Sequence, residues 1–529
     1  MVQEVSSEWL ASKIKDNDTI FTVGMTLSGS AEEILKAIET RFQKERHPQN
    51  LTLVHASGQS DRRDGIQHLA HEGLVTRIIG SHWGLAPKWM ELISNNVVQA
   101  YCLPQGQVIH WLRSMAAGLP GHLTQIGLGT FVDPRQDGGK MNARTVTAPD
   151  LIHLVEVRGQ QYLWIDAVPL DWVIVRGTTA DDKGNVSAED EAMKLEILPA
   201  VFATRRFEGR VAVQVKTVVP RGTLNPRQVE IPGVHVDYVI RVEHPELDHR
   251  QTSGWFFDSA FSSEGWRPAL QTIELQPLDV RRIIGRRAIL ELTPGAIVNM
   301  GTGIPNDVIG PEVLHEKAAD CVALTVESGV YGGRPVGGVD FGIAEHPDAL
   351  IEHPYQFDFY NGRGVDITFM GFGEVDAQGH VNATKLRDRA TGAGGFIDIT
   401  QSAKKVVFCG TFTTRGLSVS VDHHRLTIVK EGQISKWVAT VQQISFNGMQ
   451  GVARGQQILV VTERAVFRLT PSGWELTEVA SGIDLERDVL GQMSFQPQIA
   501  PEIRIMEPRI FSDDTLNLLG LLRQGSQNP

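Results

Sequence analysis

Short apolar, β-branched runs alternate along this chain with longer stretches of helical period, and that alternation narrows the fold more than any single motif. "TIFTVG" (19–24), "LTLVHA" (51–56), "VTRIIG" (75–80) and "VVQAYC" (97–102) read as strands, separated by helical patterns such as "LAPKWMELI". "SAEEILKAIETRF" (30–42) reads as a helix, with Ser30 as its N-cap and Glu33 completing a capping box. The second half repeats the style, with "RRAILEL" as helix, "AIVNMG" as strand, "IPNDVIGPEVL" as helix and "CVALTVE" as strand. Such alternation implies α/β architecture with mainly parallel sheets. At 529 residues the chain has room for two domains of that kind.

The two halves also share landmarks. "DTIFTVGMTLSGSAEEIL" and "GAIVNMGTGIPNDVI" both run strand, glycine, small-residue turn, helix. "ADDKGNVSAED" (180–190) and "EVDAQGHVNAT" (374–384) follow them in the same order and share an aspartate, a glycine and a valine. From Gly24 to Gly184 is 160 residues, against 78 from Gly301 to Gly379, so the first copy carries an insertion. Between the copies, "HRQTSGWFFDSAFSSEGWRPALQ" (249–271) has no clear period. The expected division is an N-terminal domain 1–248, a linker 249–277 and a C-terminal domain 278–529.

Composition excludes several classes of function. A net charge of −12 with no basic run argues against a nucleic-acid binder, and it requires any anionic ligand to be held by local features. Cys102, Cys321 and Cys409 lie far apart without CxxC spacing, so neither a disulfide framework, a zinc site nor a thiol nucleophile is expected. The histidines lack metal-ligand spacing; His82 in "GSHWG" and His423 and His424 in "VDHHRL" read as structural or surface residues. "YQFDFYNGRG" (355–364) reads as core and loop packing, with Asp358 placed to orient a neighbour. No signal peptide and no membrane-spanning run is evident, which gives the expectation of a cytoplasmic protein without a membrane partner.

Glycine clusters remain, at 301–303, 332–333, 337–338, 371–373 and 392–396. Each alone is explained by a turn that needs positive φ. "VNMGTGIPNDVIG" says more, because it follows a strand and enters a helix with proline near its first turn, where free N–H groups hold phosphate or carboxylate. It lacks the full GxGxxG and the P-loop Lys-Ser/Thr, so neither NAD nor ATP is indicated. In "LTVESGVYGGRP" (324–335), Glu327 ends a buried-strand pattern among residues with almost no bulk. A carboxylate in such a place is costly to desolvate unless it is paired or used.

"TVESGVYGG" resembles the active-site segment of family I coenzyme A transferases. The resemblance extends through "LPQG" (103–106), "GLGTFVDPRQDGGKMN" (127–142), "IPGVHVDYV" (231–239), "VNMGTGIP" (298–305), "QFDFYNGRGVDI" (356–367), "GAGGFIDIT" (392–400), "VTERAVF" (461–467) and "GIDLERDVL" (482–490). It is most similar to the long, single-chain acetate, propionate or acetoacetate subgroup. That implies two open α/β domains with the active site in the cleft between them. It also implies that Glu327 is the covalent nucleophile and that the Gly395 N–H, with Gly394 next, receives the oxyanion. Gly301, Thr302, Gly303, Ile304 and Pro305 would lie against CoA, and Gln105 would reach the site from the first domain. CoA is then a substrate, with no tightly bound cofactor and no metal, and the chain a homo-oligomer, dimer or tetramer.

One departure concerns the turn "VGMTLSGS" (23–30), where relatives are richer in glycine. Gly24 and Leu27 are expected at the acid pocket, with Met25 and Leu27 reshaping it. At an ordinary pKa of about 4.3, Glu327 is expected to be ionised without special activation. The function implied is CoA transfer between short-chain acids by a ping-pong route through a glutamyl-CoA thioester. A short-chain acyl-CoA hydrolase using the same glutamate, or a non-catalytic acyl-CoA or sugar-phosphate sensor, are the alternatives.

Overall fold

The alternating runs assemble into two large sheets in the computed structural model, which describes residues 2–262 and 275–525. The first half forms eight strands, every neighbouring pair parallel, from Gln3–Glu4 at one edge to Gln99–Cys102 at the other. In the second half Ala323–Val326, Ile297–Met300, Ile367–Gly371, Lys405–Cys409 and Gln457–Val461 lie parallel in that order. Antiparallel pairings extend this sheet at both sides, and Gln498–Ile505, parallel to Gly473–Val479, completes ten strands at one edge. Parallel strands are covered on both faces, which is why Trp172–Arg176 is buried at every residue. In Lys405–Cys409, Val406 and Phe408 enter a core shared by both halves, while Val407 and Cys409 face a second core confined to the C-terminal half.

The duplication is visible in the strand order. With the edge strand Gln3–Glu4 and the inserted Val75–Gly80 and Gln99–Cys102 set aside, the parallel strands of each half share one order. The first (Thr19–Thr22; Ile297–Met300) lies between the second (Leu51–His55; Ala323–Val326) and the third (Trp172–Arg176; Ile367–Gly371). The fourth (Arg210–Val215; Lys405–Cys409) and fifth (Tyr238–Arg241; Gln457–Val461) follow on the third strand's side. The shared aspartate and glycine make the same turn in both halves. Asp181 Oδ1 accepts from the Lys183 and Asn185 N–H groups, and Asp376 Oδ1 from those of Gln378 and His380. Gly184 and Gly379 sit at φ of 83° and 80°. The insertion in the first half supplies the strands Val75–Gly80 and Gln99–Cys102 and a separate sheet of Gly121–Thr124, Gln160–Asp166 and Ile152–Val157.

One local expectation gives way to a tertiary contact. The first long helix is Glu32–Glu45 with Ala31 at the N-cap, so Ser30 stands one residue too early to cap it. Ser30 Oγ donates to Glu32 Oε1 instead, and Glu33 Oε2 accepts from the Glu243 N–H. The free N–H groups of Glu33 and Ile34 are satisfied by Gln214 Oε1 from the neighbouring strand. The expected linker 249–277 lies partly outside the described residues. Its described part is not loose: His249, Gln251 and Thr252 are buried.

The halves meet at the start of helix Gln105–Ala116. Asp398, fully buried in the second half, accepts from the Gly106 N–H at 3.0 Å and from Gln107 Nε2 at 2.7 Å. The Gln105 N–H donates to the Gly394 carbonyl at 2.9 Å. Asp358 contributes a second link, accepting from Arg113 on the same helix. No side chain fits at Gly106, where a Cβ would stand 2.3 Å from Phe357 Cδ1 and 2.6 Å from Asp398 Oδ1. Gly106→Ala is therefore expected to lower stability by roughly 1–3 kcal/mol through overpacking alone. Urea unfolding reads the change, and an unaltered midpoint would show that the halves meet without this contact.

Candidate active site

Glu327 stands in the tip of a hairpin. The strand Ala323–Val326 is buried from Leu324 onward and pairs antiparallel with Val330–Tyr331. The Gly329 N–H closes the turn on the Val326 carbonyl at 3.1 Å. Gly329 has a φ of 97°, and a Cβ on it would lie 2.1 Å from the Ile351 carbonyl oxygen, so only glycine makes this turn. Ser328 Oγ donates to the Gly342 carbonyl and pins the tip from the other side.

Beneath the glutamate lies a network of buried polar side chains. Asn299 Nδ2 donates to Tyr360 Oη at 3.1 Å, and Thr368 Oγ1 donates to Asn299 Oδ1 at 2.9 Å. Thr325 Oγ1 and Tyr360 Oη lie 2.7 Å apart. These side chains are all buried, so the floor of the site is rigid and hydrogen-bonded.

Above it opens a cavity of about 430 Å³. The first half contributes Met25, Thr26, His82 and Gln105, and the second Gly301, Thr302, Phe341 and the loop Gly392–Gly395. Gly395 stands against the carboxyl, since a Cβ there would lie 3.7 Å from Glu327 Cδ. The Gly394 N–H donates to the Ser81 carbonyl at 2.9 Å. Among the described residues no lysine or arginine lines this cavity.

The missing counter-charge sets the ionisation of Glu327. Burial pushes its carboxyl from an ordinary 4.5 up to about 7; its own backbone N–H and Asn299 pull the other way, and the Asp398 charge adds to the rise. The expectation of an unperturbed carboxylate is thus corrected: glycine walls exclude water without supplying a cation.

Comparison with known proteins decides the family. The chain is 39% identical over 520 residues to the caffeate CoA-transferase of Acetobacterium woodii, covering 97% of this chain and 98% of that one. It is 38% identical to the acetate CoA-transferase YdiF of Escherichia coli (strain K12), covering 98% and 97%. The chain belongs to the coenzyme A transferase family. Residues 4–241 match the sequence profile described as Coenzyme A transferase. The crystal structure of the acyl-CoA transferase YdiF from E. coli O157:H7 superposes with a TM-score of 0.91 at 37% identity, over 98% of this chain and 97% of that one. The same protein in a thioester complex with CoA gives 0.90. The protein is therefore an enzyme of the CoA-transferase type rather than a non-catalytic sensor.

The transferase gathers many of the residues singled out from sequence and leaves others aside. Glu327, Gly394, Gly395, Gln105, Gly301 and Thr302 all line the one cavity. Gly303, Ile304 and Pro305 lead away from it into the turn Pro305–Ile309. Of the turn after the first long strand, Met25 and Thr26 reach the cavity, whereas Gly24 and Leu27 do not. The chain reverses here in a tight turn closed by the Met25–Ser28 backbone pairing, with Thr26 at a φ of 54°, and Leu27 leaves the cavity lining.

Sequence reasoning passed over His82, whose ring is wedged between glycines: a Cβ on Gly58 or Gly84 would lie 2.7 Å from it. Burial pushes it down to about 4, so a neutral imidazole faces the cavity. The glycine on either side of "SHW" was the available signal. Away from the site, Glu32, Asp64 and His68 bring ligand atoms within 4.8 Å of one another. Burial alone would lower His68, but Asp64, Glu32 and Glu39 outweigh it and push it up to about 11. His68 forms ion pairs with Glu32, Glu39 and Asp64. Among the described residues no helix is long and apolar enough to cross a membrane.

The raised carboxyl has a signed consequence for stability. The folded protein holds the Glu327 proton more tightly than the unfolded chain, so this group's stabilising contribution is present below about pH 4.5 and lost as pH rises through about 7. Glu327→Gln should accordingly gain nothing at pH 4 and up to about 3 kcal/mol above pH 7. Denaturant titrations of both proteins at the two pH values test this, and an equal difference at both would refute the assignment.

Proposed function

We propose that this enzyme moves CoA between short-chain carboxylic acids through a thioester formed on Glu327. The observation that carries the reading is a carboxylate held at a hairpin tip, desolvated, against a glycine and without a counter-ion. Stripped of water and of a cation, it is a stronger nucleophile than a surface carboxylate. That a similar transferase forms a thioester complex with CoA supports the same chemistry here.

The steps balance without an external energy source. A Glu327 carboxylate oxygen attacks the acyl-CoA carbonyl carbon, the C–S bond breaks, and an acyl-glutamyl anhydride forms with CoA thiolate. The thiolate then attacks the glutamyl carbonyl, giving glutamyl-CoA thioester and releasing the first acid as its carboxylate. A second acid repeats these steps in reverse. Each tetrahedral intermediate needs a donor for its oxyanion. Gly395 is the donor in this reading, because the Gly394 N–H is already engaged with Ser81.

Acyl-CoA supplied without an acceptor acid should leave an adduct of the mass of CoA less one water on the peptide carrying Glu327, detected by intact mass and peptide mapping after quenching. Glu327→Ala should lose both adduct and transfer while remaining folded. Release of CoA far beyond one equivalent without an acceptor would identify a hydrolase instead. Intersecting rather than parallel double-reciprocal lines, with no adduct, would indicate direct transfer.

Met25 and Phe341 supply apolar bulk where the acid's tail is placed in this reading. Each accommodated methylene contributes roughly 0.8 kcal/mol, or about fourfold in kcat/KM. Met25→Ala should therefore favour longer acids over acetate by about that factor per methylene. Leu27→Ala should lower stability by roughly 2–5 kcal/mol and leave the preference alone. Acid preference and Tm measured on both variants separate pocket from core.

A further inference from the structure

Three buried side chains behind the cavity form a connected series that the steps above do not use. Gln105, 2% exposed, lines the cavity as the first residue of its helix. Its Nε2 lies 2.9 Å from Nε2 of His353, and His353 Nδ1 lies 2.8 Å from Oε2 of Glu196. His353 and Glu196 are fully enclosed. Gln105 and Glu196 come from the first half, while His353 opens the helix His353–Gly362 of the second. The His353 N–H donates to the Lys194 carbonyl at 2.7 Å and ties the segments together.

The role of each group follows from what it can donate. A carboxylate only accepts, so the ring proton shared with Glu196 sits on Nδ1. An amide nitrogen only donates, so Nε2 of His353 is the acceptor in its contact with Gln105. Gln105 is left with its carbonyl oxygen directed to the Gly394 side, where a Cβ would stand 3.7 Å from it. An amide is nearly symmetric in shape. Without His353 the cavity would be offered an N–H as readily as a carbonyl.

We propose that Glu196 and His353 are positioning residues for CoA transfer, fixing the ring tautomer that holds Gln105 with its carbonyl toward the cavity. The proposal rests on the placement of Gln105 at the site that carries the reaction above. Its sharpest consequence concerns Glu196→Gln. An amide at position 196 can donate to Nδ1, which moves the ring proton to Nε2 and turns the Gln105 amide around. A wrong tautomer of this kind impairs chemistry while leaving binding and geometry largely intact.

The test is a double-mutant cycle read by steady-state kinetics on the full chain. Glu196→Gln should lower kcat about tenfold or more while KM for acyl-CoA changes less than about twofold. In a Gln105→Ala background the same substitution should have almost no further effect. His353→Asn, which also removes the tautomer but leaves the carboxylate, should show the same dependence on Gln105. Equal losses in both backgrounds, or a change confined to Tm, would overturn the positioning role. A Gln105→Ala enzyme with unaltered kcat would instead remove Gln105 from the reaction, and the proposal with it. That outcome leaves Glu327 untouched, so the two failures are told apart.

Discussion

The buried carboxylate of Asp398 is the contact on which the site depends. It belongs to the second half yet accepts from the Gly106 N–H in the first turn of a helix in the first half and from the Gln107 side-chain amide, with Asn361 as a third donor. An unpaired carboxylate in that position would be costly, and an uncapped helix start facing a core would be costly too. Each removes the other's penalty. Burial pushes Asp398 up to about 6 against the pull of these three donors. The contact sets Gln105 and the loop carrying Gly394 and Gly395 side by side, so the cavity exists only where the halves touch.

A second buried charge shapes the opposite wall. Arg176 is almost fully enclosed and forks onto Glu191 at 2.8 and 2.6 Å. Its remaining N–H groups reach the Ser30 and Arg250 carbonyls. Burial would raise Glu191, but Arg176 outweighs it and holds the carboxyl well below the usual range. One guanidinium thereby fastens the turn bearing Met25 to the strand beneath it and to the segment that leaves the first half. Arginine suits this place because its planar fork serves a carboxylate and several carbonyls at once.

Around Glu327 the logic is reversed. Arg176 and Glu191 neutralise each other, whereas the glutamate in the cavity has glycines, apolar side chains and amides for neighbours. In the proposed reaction small residues let a thioester approach the carboxyl closely, with the Gly395 N–H as the oxyanion donor because that of Gly394 is engaged with Ser81. The hydrogen-bonded floor of Asn299, Thr325, Tyr360 and Thr368 supplies rigidity without charge. The elevated carboxyl is the physical mark of that arrangement.

Much of this was legible in the chain itself. Strand and helix periods located the elements, and the paired aspartate–glycine turns disclosed the duplication, because both depend on short-range geometry. Glu327 stood out as an acidic group ending an apolar run among small residues. What could not be read locally was anything set by a distant partner. Gln214 replaced the expected cap at Glu32, and the Met25–Ser28 pairing decided that Met25 rather than Leu27 faces the cavity. Glu196, His353 and Gln105 converge from three separate segments, and burial in the folded protein pushes the carboxyl of Glu327 up to about 7. Backbone preference is carried by neighbours in sequence, but desolvation is carried by whatever packs on top, and only the tertiary structure decides that.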